Sequence, residues 1–201
     1  MIYLLRHGTL EGDISKKYIG QMNIPLNDNG FRQAESWANN FLKQQLVFDS
    51  ILSSDLVRCK SSADIIASSQ KLEVKTLPAL REINLGDWDG KERRQIKTKF
   101  PDAWGKHGTD PSFCPPNGES FADLQVRAVS VIEDISKSSN GKNILIVTHA
   151  GVIRCVICFI LEIPLSQLFR IELNYAALCA INDQKKPLTM AYINRVNDCS
   201  L

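Results

Sequence analysis

The sequence lacks both a long hydrophobic run and a strong net charge. No apolar stretch approaches the roughly 20 residues that a membrane-spanning helix needs. The opening residues, MIYLLRHG, lack the basic and long apolar segments of a signal peptide, so we expect a cytoplasmic protein without a membrane partner. The formal net charge of the 201 residues is +2, and no run of basic residues exceeds two. These features argue against nucleic acid as a partner.

Histidine is scarce, and the cysteines lack the spacing of a metal site. Among three histidines and six cysteines, Cys155 and Cys158 have the C-x-x-C spacing. Apolar residues surround this pair, and no second pair of ligands accompanies it. We therefore predict buried structural thiols rather than a metal or redox site. The other cysteines are Cys59, Cys114, Cys179 and Cys199.

Apolar segments of two kinds alternate along the chain. Short apolar runs predict strands near residues 2–5, 49–53, 73–77, 144–147, 177–181 and 189–193. Helical spacing of apolar residues predicts helices at residues 30–46, 54–69, 119–137 and 151–161. Ser54 or Asp55 is the predicted cap of the second helix. This alternation predicts an α/β three-layer sandwich with a mostly parallel central sheet flanked by helices.

Residues 86–118 interrupt this alternation with many glycines, prolines and aromatic residues. Long irregular excursions in compact domains are often lids or binding loops. We predict a lid-like excursion with a short helix at residues 92–99, inside a single domain that spans residues 1–201. Trp88 and Trp104 are interpreted as packing residues, and His107 as a residue outside the chemistry.

Arginine and histidine lie together at the ends of predicted core strands. Arg6 and His7 follow the first strand, and His149 follows the fourth, where a helix opens with Ala150. Arg58 lies in the first turn of the helix after the second strand. The carboxyl ends of parallel strands meet at one edge of a sheet, so we expect these residues to form a phosphate pocket. Guanidinium groups pair bidentately with phosphoryl oxygens, and helix N-termini add N–H groups.

These residue types also suit phosphoryl transfer. A neutral His7 could attack phosphorus and carry it as a phosphoramidate, while a charged His149 would stabilise the equatorial oxygens. Glu82, just past the third strand, is the candidate proton donor for the leaving alkoxide. No metal or other cofactor is expected, because the arginines and His149 supply the positive charge. The expected partner is a small phosphorylated metabolite.

Five segments of the chain carry these residues: LLRHG, SSDLVRCKSSA, LREINLGDWDG, PPNGES and VTHAGVIR. In this order, over residues 1–160, they resemble the histidine phosphatase superfamily, also called phosphoglycerate mutase-like. The resemblance implies a phosphate pocket of Arg6, Arg58 and His149. It further implies that His7 is the phosphorylated residue and Glu82 the proton donor. Within that superfamily, YIGQMNIPL, LGDWDG and PPNGES are most similar to alpha-ribazole phosphatases of cobalamin synthesis.

The chain also departs from the superfamily pattern. Thr9 follows RHG where many members carry glutamate, and Asp13 stands where many carry asparagine. A carboxylate at Asp13 would repel phosphate unless it faces a hydroxyl or an arginine. We treat Asp13 as a substrate-binding candidate and as the alternative proton donor. Backbone N–H groups of Gly20 and Gln21 are further candidates for ligand binding, although a plain turn fits equally well.

The leading interpretation is a phosphomonoesterase that forms a phosphohistidine and acts on alpha-ribazole 5′-phosphate. A broad-specificity acid-type phosphatase is the first alternative. A phosphoglycerate mutase is less favoured, because it needs extra basic residues and the residues after Glu82 are mostly apolar. A non-catalytic phosphate-binding protein is disfavoured, because the chain keeps every catalytic group. The sequence specifies no oligomeric state.

Overall fold

The computed structural model describes residues 1–197, and a mixed sheet lies at the centre of this part of the chain. Its strands are β1 (Ile2–Arg6), β2 (Ser50–Ser53), β3 (Val74–Thr76), β4 (Ile144–Thr148), β5 (Leu178–Asn182) and β6 (Thr189–Arg195). Within the described residues they form one six-stranded sheet in the order β3-β2-β4-β1-β5-β6. The four strands from β3 to β1 are parallel, whereas β5 and β6 pair in antiparallel fashion.

Helices cover both faces of this sheet. They are α1 (Asp28–Lys43), α2 (Val57–Gln70), α3 (Arg93–Lys99), α4 (Pro101–Lys106), α5 (Phe121–Ser138) and α6 (Ala150–Ile160). Successive residues of a strand point to opposite faces. Accordingly, Tyr3 and Leu5 pack in the hydrophobic cluster under α1 and α2, whereas Leu4 packs in the cluster under α5 and α6.

Local sequence signals fix the ends of the long helices. The Asn27 side chain accepts a hydrogen bond from Gly30 N at 2.8 Å and caps α1. Ser120 and Asp123 form a capping box at the start of α5, in which each side chain accepts from the backbone N–H of the other. The apolar face of each helix then faces the sheet, as its helical spacing predicts.

The central position of β4 carries the site. All five residues of β4 are buried between β1 and β2, in agreement with its continuous apolar sequence. Arg6 at the end of β1 pairs in register with Thr148 at the end of β4. The residues that follow the two strands, His7 and His149, are therefore neighbours at the carboxyl edge of the sheet.

The predicted fold class is confirmed, and each predicted strand is present. The predicted cap of α2 is wrong: Leu56 precedes the helix without a side-chain cap. Ser54 Oγ accepts from Leu56 N at 3.3 Å and lies 2.9 Å from His149 Nε2, and Asp55 instead forms an ion pair with Arg81. The helix at 92–99 is confirmed as α3, but α4 directly after it was not predicted.

Two further expectations concern cysteines and membranes. Cys155 and Cys158 are buried as predicted, and Cys59 and Cys179 are buried as well, whereas Cys114 is exposed because it lies on the irregular segment before α5. Cys199 lies outside the described residues. In residues 1–197, no helix combines the length and the apolarity needed to cross a membrane.

Candidate active site

Arg6 is the last residue of β1, beside the end of β4, and one of its N–H donors has no partner among the described residues. Its Nη1 donates to Leu173 O at 2.7 Å, and its guanidinium carbon lies 3.8 Å from the centre of the Tyr175 ring. In the part of the chain that the structure describes, Arg6 Nε is the one buried side-chain nitrogen or oxygen without a hydrogen-bond partner. A buried donor of this kind is unusual unless it serves a ligand. It can donate to an anionic oxygen.

His7 is buried, neutral and oriented by the backbone. Its Nδ1 lies 2.8 Å from Gly8 O, so Nδ1–H donates to this carbonyl and Nε2 keeps its lone pair. Burial, followed by the charges of Arg58 and Arg6, lowers the pKa of His7 well below its ordinary value. The imidazole is therefore neutral near pH 7, as a nucleophile requires.

His149 lies next to His7, with ring centroids 5.2 Å apart. Arg58 Nε donates to His149 Nδ1 at 3.2 Å, and His149 Nε2 lies 2.9 Å from Ser54 Oγ. Burial and the charge of Arg58 lower the pKa of His149 well below its ordinary value. An imidazole that accepts at Nδ1 and donates at Nε2 is neutral, so His149 is neutral in this arrangement, while a charged His149 beside a phosphoryl group stays a prediction.

Arg58 is held between His149 and the loop of residues 20–22. Its Nη1 donates to Met22 O at 2.6 Å, and its Nη2 donates to Gly20 O at 2.7 Å. Each terminal nitrogen carries a second N–H, and these two groups are the donors that Arg58 can offer to a phosphoryl group. The side chain is almost completely buried, so its orientation is set by these three acceptors.

The same loop is fixed from its other side by Asp89. The Asp89 carboxylate accepts from the backbone N–H of Gly20 at 2.8 Å, of Gln21 at 2.8 Å and of Met22 at 2.9 Å. The prediction that Gly20 and Gln21 donate these N–H groups to a ligand is therefore wrong, because Asp89 already accepts them. The loop instead supplies acceptors to Arg58.

Asp13 also lies apart from the chemistry. Its carboxylate is exposed and accepts from the backbone N–H of Ser15 at 3.3 Å and from Ser15 Oγ at 2.8 Å. These hydrogen bonds lower the pKa of Asp13, so the carboxylate stays ionised near pH 7 and has no proton to donate. The expectation that Asp13 binds substrate or donates the proton is corrected, because its side chain closes a local turn.

The Glu82 side chain lies beside the first turn of α6, on the same cavity as Arg6. One carboxylate oxygen, Oε2, accepts from Gly151 N at 3.1 Å, and the other accepts from Ile83 N at 2.9 Å. The backbone carbonyl of Glu82 accepts from Gln21 Nε2 at 3.0 Å. Both the side chain and the backbone of Glu82 are therefore held in place.

Arg127 on α5 holds the segment that carries Glu82. Its Nη1 donates to Ala79 O and Arg81 O, both at 2.7 Å, and its Nη2 donates to Glu82 O at 3.0 Å. Its remaining donors reach the Glu119 carboxylate at 2.6 and 3.0 Å. Three hydrogen bonds from one guanidinium thus fix the backbone of residues 79–82, while two more hold the guanidinium against Glu119.

A cavity of about 670 Å³ opens in front of these residues. Arg6, Glu82, Ala150, Gly151 and Tyr175 form its inner end, and the ring of His7 lies against Tyr175 with centroids 5.7 Å apart. The predicted candidates Arg6, Glu82 and Ala150 therefore line the cavity, while His7, Arg58 and His149 lie directly beside its inner end.

The outer walls of the cavity come from two chemical classes. Aromatic rings are provided by Tyr18, Trp104, His107, Phe121 and Phe169. Cationic side chains are provided by Lys17, Arg93 and Arg154. These three basic residues come from outside the mostly apolar stretch that follows Glu82, on which the preference for a less charged leaving group is based.

Sequence reasoning missed Tyr175 and Arg154. Tyr175 lies just before β5, and because β5 is antiparallel to β1 its start lies beside the end of β1. Arg154 is on the first turns of α6, and its Nε donates to Ile171 O at 2.9 Å. Its position four residues after Ala150 is the signal that could have placed it on the cavity side of the helix.

Metal ligands form no cluster in the described part of the chain. No group of three or more histidine, cysteine, aspartate or glutamate side chains there is arranged to hold a metal ion.

Three comparisons with known proteins match most of the chain. The profile of the Histidine phosphatase superfamily (branch 1) matches residues 2–195. The adenosylcobalamin/alpha-ribazole phosphatase of Escherichia coli is 27% identical over 194 residues, which cover 96% of this chain and 95% of that protein. The phosphoglycerate mutase-like protein 4 of Arabidopsis thaliana is 36% identical over 157 residues, which cover 76% of this chain and 67% of that protein.

A solved structure agrees with these sequence relatives. The crystal structure of the alpha-ribazole phosphatase from Shigella flexneri has a TM-score of 0.84 against this chain. The two are 27% identical, and the superposition covers 96% of each chain.

Proposed function

We propose that the substrate of this protein is alpha-ribazole 5′-phosphate. The premise is that the chain belongs to the histidine phosphatase superfamily and is a phosphoric monoester hydrolase. The family and the phosphatase activity predicted from the sequence are confirmed by the profile match and by the named relatives. The identity of the substrate and the roles of single residues are the content of the proposal.

The observation that carries the mechanism is the fixed tautomer of His7. With Nδ1–H bonded to Gly8 O, the Nε2 lone pair is free to attack phosphorus. In the first step the Nε2–P bond forms and the ester P–O bond breaks. Arg6 Nε and the two remaining N–H groups of Arg58 donate to the phosphoryl oxygens, where negative charge is concentrated.

Glu82 completes both steps as acid and then as base. In its protonated form Glu82 gives its proton to the departing oxygen, and the alcohol leaves. The resulting carboxylate then accepts a proton from water while the water oxygen attacks phosphorus and the Nε2–P bond breaks. Inorganic phosphate, neutral His7 and protonated Glu82 result. The hydrogen bonds from Gly151 N and Ile83 N hold the carboxyl group in one place throughout.

The cavity supports an aromatic leaving group. Alpha-ribazole carries a dimethylbenzimidazole, and flat heteroaromatic rings pack well against aromatic side chains. Tyr18, Phe121 and Phe169 supply such surfaces in front of Glu82. In this proposal the chain is one domain, and residues 86–118 act as a lid-like wall that contributes Arg93, Trp104 and His107 to the cavity.

The cationic side of the cavity favours a second candidate. Lys17, Arg93 and Arg154 could hold an acidic group on the leaving alcohol, as in phosphoglycerate. This candidate agrees with the relative named phosphoglycerate mutase-like protein 4.

The two candidates are separated by comparing kcat/KM values. The substrates are alpha-ribazole 5′-phosphate, AMP, glycerol 1-phosphate and 3-phosphoglycerate, each with the wild-type protein and with His7→Ala. We expect alpha-ribazole 5′-phosphate to exceed the others by at least about tenfold, the effect of roughly 1.4 kcal/mol of added transition-state binding. A preference for 3-phosphoglycerate would support the second candidate, and values within tenfold would indicate a broad-specificity phosphatase. His7→Ala should abolish turnover of all four.

A further inference from the structure

His107 follows α4 and lies in a cage of aromatic rings. Its ring centroid lies 5.3 Å from that of Phe121, 5.4 Å from Tyr18, 5.6 Å from Trp88 and 6.1 Å from Phe169. Tyr18, Phe121 and Phe169 line the same cavity as His107 and Glu82. The surroundings of His107 in the leaving-group cavity would thus suit a phenylalanine side chain equally well, but the chain has an imidazole there.

The nitrogens of this imidazole are not used by the protein. Among residues 1–197, neither ring nitrogen of His107 has a hydrogen-bond partner, and neither belongs to the fully buried atoms that lack one. Each nitrogen thus keeps contact with accessible space, and the space that His107 lines is the cavity. Water can satisfy these nitrogens in the free protein, and a polar atom of a bound ligand can replace that water.

The charge state of His107 restricts what it can recognise. Burial, followed by the charge of Arg93, lowers the pKa of His107 to about 4, so the ring is neutral near pH 7. A neutral imidazole presents one N–H donor and one nitrogen acceptor. It does not attract an anion, in contrast to Lys17, Arg93 and Arg154 on the same cavity. Its natural ligand is a neutral polar atom.

We propose that His107 is a specificity-determining residue that hydrogen-bonds a polar ring atom of an aromatic leaving group held among Tyr18, Phe121 and Phe169. The inference rests on the proposed function in one respect, namely that the leaving group occupies this cavity. The preferred leaving group is thus heteroaromatic, with a ring nitrogen or similar acceptor, rather than purely hydrocarbon. The dimethylbenzimidazole of alpha-ribazole has such a nitrogen.

The test compares benzyl phosphate with the 2-, 3- and 4-pyridylmethyl phosphates, which place a ring nitrogen at each position in turn. The measured quantity is the ratio of kcat/KM for each pyridyl ester to that for benzyl phosphate, in the wild type, His107→Phe and His107→Gln. We expect one isomer to exceed benzyl phosphate by about 3- to 10-fold in the wild type, the effect of one neutral hydrogen bond. His107→Phe should abolish this preference, and His107→Gln should keep part of it.

The ratio separates specificity from general damage, because a folding defect changes both esters alike. The proposal is overturned if the wild type shows no preference above twofold for any isomer. It is also overturned if His107→Phe keeps the wild-type ratios of pyridyl to benzyl ester. If His107→Phe folds poorly, the proposal is overturned when no pyridyl-to-benzyl ratio of His107→Gln exceeds twofold. Wild-type turnover of alpha-ribazole 5′-phosphate is measured in parallel, and a low value there counts against the proposed substrate without changing the pyridyl-to-benzyl ratio.

Discussion

The carboxylate of Glu82 lies directly on the backbone of Gly151. Gly151 N donates to Glu82 Oε2 at 3.1 Å, and a Cβ built on Gly151 would overlap Glu82 Oε1 and approach its Cδ to 3.1 Å. Gly151 is in the first turn of α6, where the positive end of the helix dipole favours a carboxylate. The position of Glu82 therefore depends on the absence of a side chain at residue 151.

Gly151→Ala should displace Glu82 and slow transfer of the phosphoryl group to His7. The backbone at Gly151 is helical, so alanine is compatible with the helix and the effect should arise from the overlap with Glu82. Single-turnover phosphorylation by an alkyl phosphate measures this step. In a Glu82→Gln background the same substitution should add little, because the group it displaces is already inactive. Additive losses would show that Gly151→Ala damages something else.

Glu82→Gln should reveal proton donation through its dependence on the leaving group. Glutamine keeps the shape of the side chain but cannot give up a proton. Alkyl alkoxides are poor leaving groups and p-nitrophenolate is a good one, so the loss for an alkyl phosphate should be about 10²- to 10⁴-fold. The loss for p-nitrophenyl phosphate should be much smaller. Single-turnover kinetics isolate the phosphorylation of His7, because hydrolysis of phospho-His7 uses the same carboxyl group. Equal losses for both esters would mean that Glu82 only shapes the cavity.

The sequence predicted those site residues that lie at or just after the ends of strands. Arg6, His7 and His149 directly follow buried apolar strands, and the parallel register of β1 and β4 brings them together. Arg58 and Glu82 follow the next two strands within a few residues. Apolar runs thus locate these residues, because the geometry of a parallel sheet leaves little freedom at its carboxyl edge.

The rest of the site depends on contacts between distant loops, which have no period in the sequence. Asp89 binds the loop of residues 20–22 across 67 to 69 residues of chain, and Arg127 reaches back 45 to 48 residues to the segment before Glu82. The place of His107 in the cavity was missed for a related reason. It follows a six-residue helix, α4, inside a segment whose many glycines, prolines and aromatic residues obscure helical spacing.

Asp89→Asn should weaken anion binding through the loop that it holds. The carboxylate accepts three backbone N–H groups, and an amide would put an NH₂ group against at least one of them. The carbonyls of Gly20 and Met22 would then no longer hold Arg58 firmly. We expect the inhibition constant of vanadate to rise by roughly tenfold, comparable to one lost charge-assisted hydrogen bond.

Asp87→Asn is the matched control for this substitution. Asp87 lies in the 3₁₀ segment Gly86–Trp88, which Asp89 directly follows, but its carboxylate accepts from the exposed Asn117 side chain at 3.1 Å. The control should leave vanadate inhibition unchanged. Equal inhibition constants in the two variants would argue that Asp89 does not act through Arg58.

The last prediction concerns stability, because all three histidines are shifted in the same direction. Burial is the main cause that lowers the pKa of His7, of His149 and of His107. The unfolded chain therefore binds more protons than the folded chain once the pH falls below about 6.5, the ordinary histidine value. The stabilising contribution of neutral histidines is fully present above this pH and is lost as the pH falls toward the folded pKa values.

We expect the free energy of unfolding in urea to decrease between pH 7 and pH 5. Carboxylates with lowered pKa values, such as Asp55 and Asp183, act in the same direction but mainly below this window. Each histidine contributes up to about 1.4 kcal/mol per pH unit where the unfolded form is protonated and the folded form is not. His107→Phe removes one of the three and should reduce the slope by about a third, whatever its effect on stability at pH 7.

Vanadate should also reduce the slope, because negative charge beside His7 and His149 raises both pKa values. A free energy that rises toward pH 5 would contradict the neutral His7 on which the mechanism depends, and a slope unchanged in His107→Phe would contradict a neutral His107.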